Sequence, residues 1–219
     1  DFANGLFQRG LYEMAEQEYL ELLAKFPQSI LLAEANFGLG ESRFFQAHYP
    51  PAIDAFKQYL TISPEGKEAN VALVRLGQCF VLLNQSPEAL GYLDRVKLDN
   101  LSLNLQQTYF YTKGQAYQLS ADLSKSMENF YKTTQIATKT NLSTLAYLRM
   151  GDLMLDEKDF TRAQEFYVTA STDAQIEEHK SLALYKQGET FFRQGEFLKA
   201  KEILTKVLTD FPNQGVRLD

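Results

Sequence analysis

The residues able to begin a reaction centre are few in this chain of 219, and their spacing completes none. His48 and His179 are the two histidines and lie far apart, with no second His or Cys at ligand spacing, so neither a zinc site nor a nucleophile–base pair has its parts. Cys79 is the one cysteine, which excludes an internal disulfide. Gly38-Leu39-Gly40-Glu41-Ser42 has the look of a glycine loop, but the lysine and the strand that a phosphate loop requires are missing. Asp156 and Asp159 flank a turn and imply no enclosed pocket that would push their acidities apart. Glu177-Glu178-His179 reads as a solvated helix start. The expectation is a protein without catalysis, cofactor or metal.

What these residues share is a register. Written at a period of 37, the chain aligns Ala3, Gly40, Gly77, Gly114, Gly151 and Gly188 in one column. A second column twelve residues on holds Ala15, Ala52, Ala89, Ser126, Ala163 and Ala200, and a third, four further, holds Tyr19, Phe56, Leu93, Phe130, Tyr167 and Leu204. Cys79 falls in a mostly small column with Gly5, Ser42, Ala116, Leu153 and Thr190, which marks it as a packed thiol. Self-similarity at a fixed period identifies a solenoid, in which each unit buries its apolar face only against its neighbours.

An interior helical glycine costs about 1 kcal/mol relative to alanine, yet five recur inside patterns such as Ala72-Leu73-Val74-Arg75-Leu76-Gly77-Gln78-Cys79-Phe80. The repetition predicts a close contact between two helices, with the small second column as its counterpart. Each unit is then a helical hairpin. Its turn lies near Arg9-Gly10, Ala47-His48, Asn84-Gln85, Ala121-Asp122, Lys158-Asp159 or Gln194-Gly195. Tyr12, Tyr49, Leu123, Phe160 and Phe197 follow the turn and seal the hairpin, Ser86 being the exception.

This order of residues resembles the tetratricopeptide repeat, a helix-turn-helix of about 34 residues. The match reads Leu73, Leu76-Gly77, Phe80, Ala89 and Leu93, and again Leu184, Gly188, Phe191, Ala200, Leu204 and Pro212. Proline closes the first, second and last units at Pro27, Pro64 and Pro212; Leu101, Thr138 and Gln175 replace it elsewhere. Three extra residues per unit predict first helices longer by nearly a turn. The resemblance implies an all-α, right-handed α-solenoid of antiparallel helix-turn-helix units, forming one domain over 1–219 with units near 1–29, 30–66, 67–103, 104–140, 141–177 and 178–214. Helical repeats of the Sel1 type share the period but not this order.

Composition narrows the partner. No segment is apolar enough to cross a membrane, and no basic-then-apolar leader opens the chain. Acids outnumber bases 28 to 22, which argues against a nucleic-acid ligand. Protein recognition remains. By resemblance, ligands lie against the first helices, at positions three before the glycine, one after it, and four and five after it. One after gives the polar ladder Asn4, Glu41, Gln78, Gln115, Asp152 and Glu189, whose amides and carboxylates suit the backbone of a bound chain. Beside it stand Phe37, Val74, Tyr111, Leu148 and Tyr185, then Phe44, Val81, Gln118, Leu155 and Phe192, with Phe45, Leu82 and Leu119 one step on. More than half of these are assigned to packing. The surplus forms an apolar patch rimmed by carboxylates, suited to an apolar or aromatic protein segment with basic neighbours. Phe37, Glu41, Phe44, Phe45, Gln78, Tyr111, Gln115, Asp152, Tyr185 and Glu189 are the candidate binding residues. The clamp by which some tetratricopeptide domains hold acidic chaperone tails needs a lysine three before the glycine, where this chain has Phe37, Val74, Tyr111, Leu148 and Tyr185.

The run Ala33-Glu34-Ala35-Asn36-Phe37-Gly38-Leu39-Gly40-Glu41-Ser42, with Phe26-Pro27-Gln28-Ser29 before it and Tyr49-Pro50-Pro51-Ala52 after it, resembles bacterial envelope proteins of this class. Those include a coordinator beside the Tol-Pal system and a lipoprotein of the barrel-assembly machine. The resemblance favours a bacterial source and the periplasm over the cytoplasm. Asp1 falls two residues before the first column, and Phe211-Pro212-Asn213-Gln214-Gly215 closes a second helix with no capping helix after it. Solenoids require capped ends, so the sequence reads as a fragment of a longer chain. The alternative function is a self-assembling element that forms homo-oligomers through its solenoid ends.

Overall fold

A computed structural model describes residues 2–212. Asp1 and the segment 213–219, including the expected closing residues Asn213–Gly215, lie outside the described residues. Twelve α-helices and no strand occur among them: α1 Phe2–Gln8, α2 Tyr12–Lys25, α3 Leu32–Phe45, α4 Tyr49–Ile62, α5 Ala69–Leu82, α6 Ser86–Leu93, α7 Leu103–Leu119, α8 Leu123–Ile136, α9 Asn141–Asp156, α10 Phe160–Asp173, α11 Glu177–Arg193 and α12 Phe197–Asp210. They form two compact bodies. The first comprises Asp1–Leu105 with Gln115–Ala121, and the second Gln106–Gly114 with Asp122–Asp219. In the first, consecutive helices α1 to α6 pack as hairpins; in the second, α8 to α12 do so, with residues 106–114 of α7 set against α8.

The expected glycine contact is present, but its partner differs. A Cβ on Gly40 would sit 2.7 Å from the Phe56 ring, on Gly77 2.6 Å from Leu93, on Gly114 2.7 Å from Phe130, and on Gly188 2.7 Å from Leu204. Gly151 stands in the same relation to Tyr167. The third column therefore presses on the glycine, because its long side chains reach across the hairpin. The small second column, from Ala15 to Ala200, is buried alongside, and Ser126 donates a hydrogen bond to the Gly114 carbonyl at 2.9 Å. Gly38 and Gly40 are helical residues of α3.

The turns repeat as closely as the glycines. Gly10, Ala47, Asn84, Ala121, Lys158 and Gly195, each 37 residues from the next, adopt left-handed φ of 57 to 79°. His48 N–H bonds the Arg43 carbonyl and Ala47 N–H the Phe44 carbonyl, and the turns at 10, 84, 158 and 195 repeat both bonds. This six-to-one and five-to-two pairing satisfies the last carbonyls of each first helix and reverses the chain. Tyr12, 5.4 Å from Phe7, and Tyr49, 6.0 Å from Phe44, then seal their hairpins.

The three extra residues do not simply lengthen every first helix. α7, α9 and α11 have 16 or 17 residues, but α3 and α5 have 14, like most second helices. Before α3 and α5 the chain makes tight turns after Phe26 and Ser63, next to Pro27 and Pro64, so the surplus residues are spent there. Where proline is absent, Ser102 and Thr140 cap α7 and α9, and the helix begins earlier.

Candidate functional site

Arg75, two residues before Gly77, organises the first-helix face of the first body. Its guanidinium donates to both Glu41 oxygens, at 2.7 and 3.1 Å, and to the Gln78 amide oxygen at 2.9 Å. The same group lies over the Phe44 ring at 4.6 Å and the Phe45 ring at 5.4 Å. Four candidate residues, Glu41, Gln78, Phe44 and Phe45, thus converge on one cation. Glu41 is 8% exposed, and so buried a carboxylate requires a partner of this geometry.

The second body repeats the device. Lys186, in the column of Arg75, lies 3.2 Å from Asp152 and 3.3 Å from Glu189, and Tyr167 donates to Asp152 at 2.9 Å. Arg193 bonds Glu189, while Arg149, also of that column, reaches Asp152 at 3.9 Å. Burial opposes the charge on Lys186, but the carboxylates of Asp152 and Glu189 outweigh it and hold the ammonium's pKa above its ordinary value. Burial, assisted by the Asp152 charge, pushes the Tyr167 hydroxyl well up. The cation column was missed in the sequence, although Arg75, Arg149 and Lys186 recur in register one turn before the ladder.

The remaining candidates divide by burial. Tyr111 is buried against Phe130 at 5.6 Å in the second body, and Phe37 packs on Phe56 and Tyr59 in the first. Tyr185 and Gln115 are half-buried. Val74, Val81, Leu148 and Leu155 belong to the core, the packing role expected of most of these columns. The column five after the glycine stays open in the first body, where Phe45, Leu82 and Leu119 are 46%, 51% and 43% exposed. In the second body its members are Asp156 and Arg193.

Next to the Arg75 cluster is a hollow of about 340 Å³ that Asn4, Tyr19 and Phe37 help to wall. Its charged lining is Glu34, Glu41, Glu68 and Lys67. Tyr19 donates to Asn4 at 2.5 Å, which fixes that wall.

Cys79 is fully buried, and burial pushes its thiol up to about 12, so it is not a thiolate at neutral pH. Burial lowers the basicity of His179, whose Nδ1 has no hydrogen-bond partner. No group of three His, Cys, Asp or Glu able to hold a metal occurs among the described residues, and no described helix is long and apolar enough to cross a membrane.

Paired helices, buried glycine contacts and left-handed turns in register define a tetratricopeptide-type α-solenoid. Residues 182–213 match the family model described as Tetratricopeptide repeat. No curated protein matches the sequence. Among solved structures, the chain is similar to PilW, described as a widely conserved type IV pilus biogenesis factor, with a TM-score of 0.78 at 14% identity over 98% of this chain and 92% of that one. Pseudomonas aeruginosa PilF gives 0.72 at 17% identity, over 97% of this chain and 90% of that one. The apo quorum sensor NprR of B. thuringiensis gives 0.80 at 11% identity, over 98% of this chain and 64% of that one. At such identities the likeness establishes the fold.

Proposed function

We propose that this protein is a non-catalytic scaffold that binds a peptide segment of a partner on the first-helix face of its first body, in a bacterial envelope assembly. The observation that carries this reading is the open column Phe45, Leu82 and Leu119 beside the Arg75–Glu41–Gln78 cluster. Half-exposed aromatic and aliphatic side chains on a rigid, ion-paired wall provide anchors whose burial stabilises a complex by about 25 cal/mol per Å². Glu34 and Glu68 in the adjoining hollow favour a partner with a basic residue next to its apolar one. Gln78 and Gln115 extend the contact within the first body, and Asp152, Tyr185 and Glu189 make a corresponding polar face within the second. The likeness to PilW, a pilus biogenesis factor, supports the envelope setting and with it the periplasm.

The test compares capture from envelope and soluble extracts by the parent and by a Phe45→Ser/Leu82→Ser variant whose helicity is unchanged. A partner held by the parent and lost by the variant supports the reading. Equal capture by both refutes it.

A second reading, self-assembly, has its own observation. In the last hairpin Phe192, Phe197, Leu198 and Leu208 are 59 to 87% exposed, whereas Leu155, one repeat earlier than Phe192, is 3% exposed. Sedimentation over a hundredfold concentration range distinguishes the two: a mass that rises with concentration and falls on Phe192→Ser/Leu208→Ser favours self-assembly.

A further inference from the structure

The third hairpin breaks the repeat, and the break opens a cleft. Its second helix, α6, has eight residues where the other second helices have 14. Six residues fewer leave the helix about 9 Å short. The cause is local: Gly91 weakens the helix, and Arg95 and Val96 N–H bond back three residues to Tyr92 and Leu93, which tightens the last turn. The chain then passes through a 3-10 turn, Leu98–Asn100, before α7. Asn70 pins this passage to α5, its amide donating to the Lys97 carbonyl at 3.2 Å and accepting from the Lys97 N–H at 3.0 Å. The segment is therefore held at a fixed distance from α5.

Between it and the start of α5 lies a cleft of about 600 Å³, entirely within the first body. Its floor is apolar, with Val71, Leu73 and Leu105. Its rim carries Lys67, Arg95 and Lys97 against the single carboxylate of Glu65. Lys97 donates to Glu65 at 2.5 Å and Lys67 lies 3.8 Å from Glu68, a loose exposed pair, whereas the Arg95 guanidinium lies 5.5 Å over the Tyr92 ring. The first turns of α5 and α7 also face the cleft through Ala69, Asn70 and Ser102 and add the partial positive charge of two helix starts. In a chain of net charge −6, an enclosed surface with this excess of cations over an apolar floor is complementary to one kind of partner.

We propose that this cleft is a second recognition site, distinct from the Arg75 face, which takes an acidic peptide segment: carboxylates on the Lys67 and Arg95 rim, and an apolar side chain between them on Val71 and Leu73. The site is opposite in charge preference to the first-helix face. One scaffold can thereby hold a basic-apolar and an acidic-apolar segment at once.

The test is fluorescence anisotropy with a labelled Gly-Asp-Leu-Asp-Leu-Glu peptide and a Gly-Lys-Leu-Lys-Leu-Lys control, on the full chain. The acidic peptide binds saturably and more weakly as salt rises. Lys67→Glu/Arg95→Glu lowers its affinity about tenfold or more, Arg95→Gln lowers it less, and Phe45→Ser/Leu82→Ser leaves it unchanged. Both rim positions are exposed, so the fold, followed by circular dichroism, is retained. The proposal is overturned by absence of saturable binding, by equal binding of the lysine peptide, or by insensitivity to the rim substitutions. Binding lost with Phe45→Ser/Leu82→Ser instead places the acidic segment on the first-helix face and overturns the second site alone.

Discussion

Arg75 and Glu41, 34 residues apart on successive first helices, form a two-pronged ion pair at 2.7 and 3.1 Å. The spacing is one repeat less one helical turn, so the pair locks the register of α5 against α3 as well as neutralising a buried carboxylate. Removing the cation leaves Glu41 without its counter-charge. Arg75→Ala should cost about 2 kcal/mol, below the figure for a fully buried pair because both side chains keep some solvent. Arg193→Ala, which removes an exposed one-turn pair, should cost about 0.5 kcal/mol or less. Urea unfolding of both variants, with Glu41→Gln completing a double-mutant cycle, measures the difference.

The glycines divide into two classes with opposite signs. Gly77→Ala drives a methyl into Leu93 and should destabilise by about 1–3 kcal/mol. Gly91→Ala in α6 meets nothing within 4 Å and should stabilise by up to about 1 kcal/mol through helix propensity. Thermal melts of the two variants check the sign.

Four of the six turns keep a side chain where glycine is easier, and in three of them the residue lacks the left-handed tolerance of Asn84. Ala47, Ala121 and Lys158 hold left-handed φ of 59 to 61°, a conformation costing about 1 kcal/mol in a residue with a Cβ. Replacing any of them by Gly should raise the melting temperature, and Gly10→Ala or Gly195→Ala should lower it.

Glu16 supplies a pH dependence. Burial acts to raise its pKa, but hydrogen bonds from Arg43 and Gln46 and the Arg43 charge outweigh it, so the carboxyl titrates below its ordinary value of 4.5. A carboxyl lowered by folding contributes stability that is complete above 4.5 and fades as pH falls through the folded value. Glu16→Gln should therefore be less stable than the parent at pH 7 and converge with it in acid. Chemical denaturation at pH 7, 5 and 3 reads the gap.

Cys79 should resist aromatic disulfide reagents in the native protein at pH 8 and react once urea unfolds the chain, since its thiol is buried and barely ionised. Rapid native labelling would contradict that burial.

Much of the fold was legible because repetition turns weak signals into columns. A single helical glycine is ambiguous, but Gly40, Gly77, Gly114, Gly151 and Gly188 in register demanded a close helix contact, and the turn at each Ala47-like position followed. The identity of that contact was less accessible: Phe56 and Leu93 reach the glycine by length, which columns of small residues do not reveal. Prolines 27 and 64 hid the shorter α3 and α5, because the same three extra residues extend a helix only where no proline stops its predecessor. The Arg75 column escaped notice since the ladder one turn later drew the reading toward an outside ligand, whereas Glu41 and Gln78 already bond Arg75. The early end of α6 was announced only by Gly91, a single glycine outside the register.

The central claim is that partners meet the first-helix face of the first body. A photo-crosslinking amino acid placed at Leu82, compared with one at Leu20 on the second helix α2, tests it most directly in an envelope extract. Crosslinks to a discrete protein from position 82 and none from position 20 are the predicted result. Crosslinking from position 20 alone, or equally from both, would contradict it.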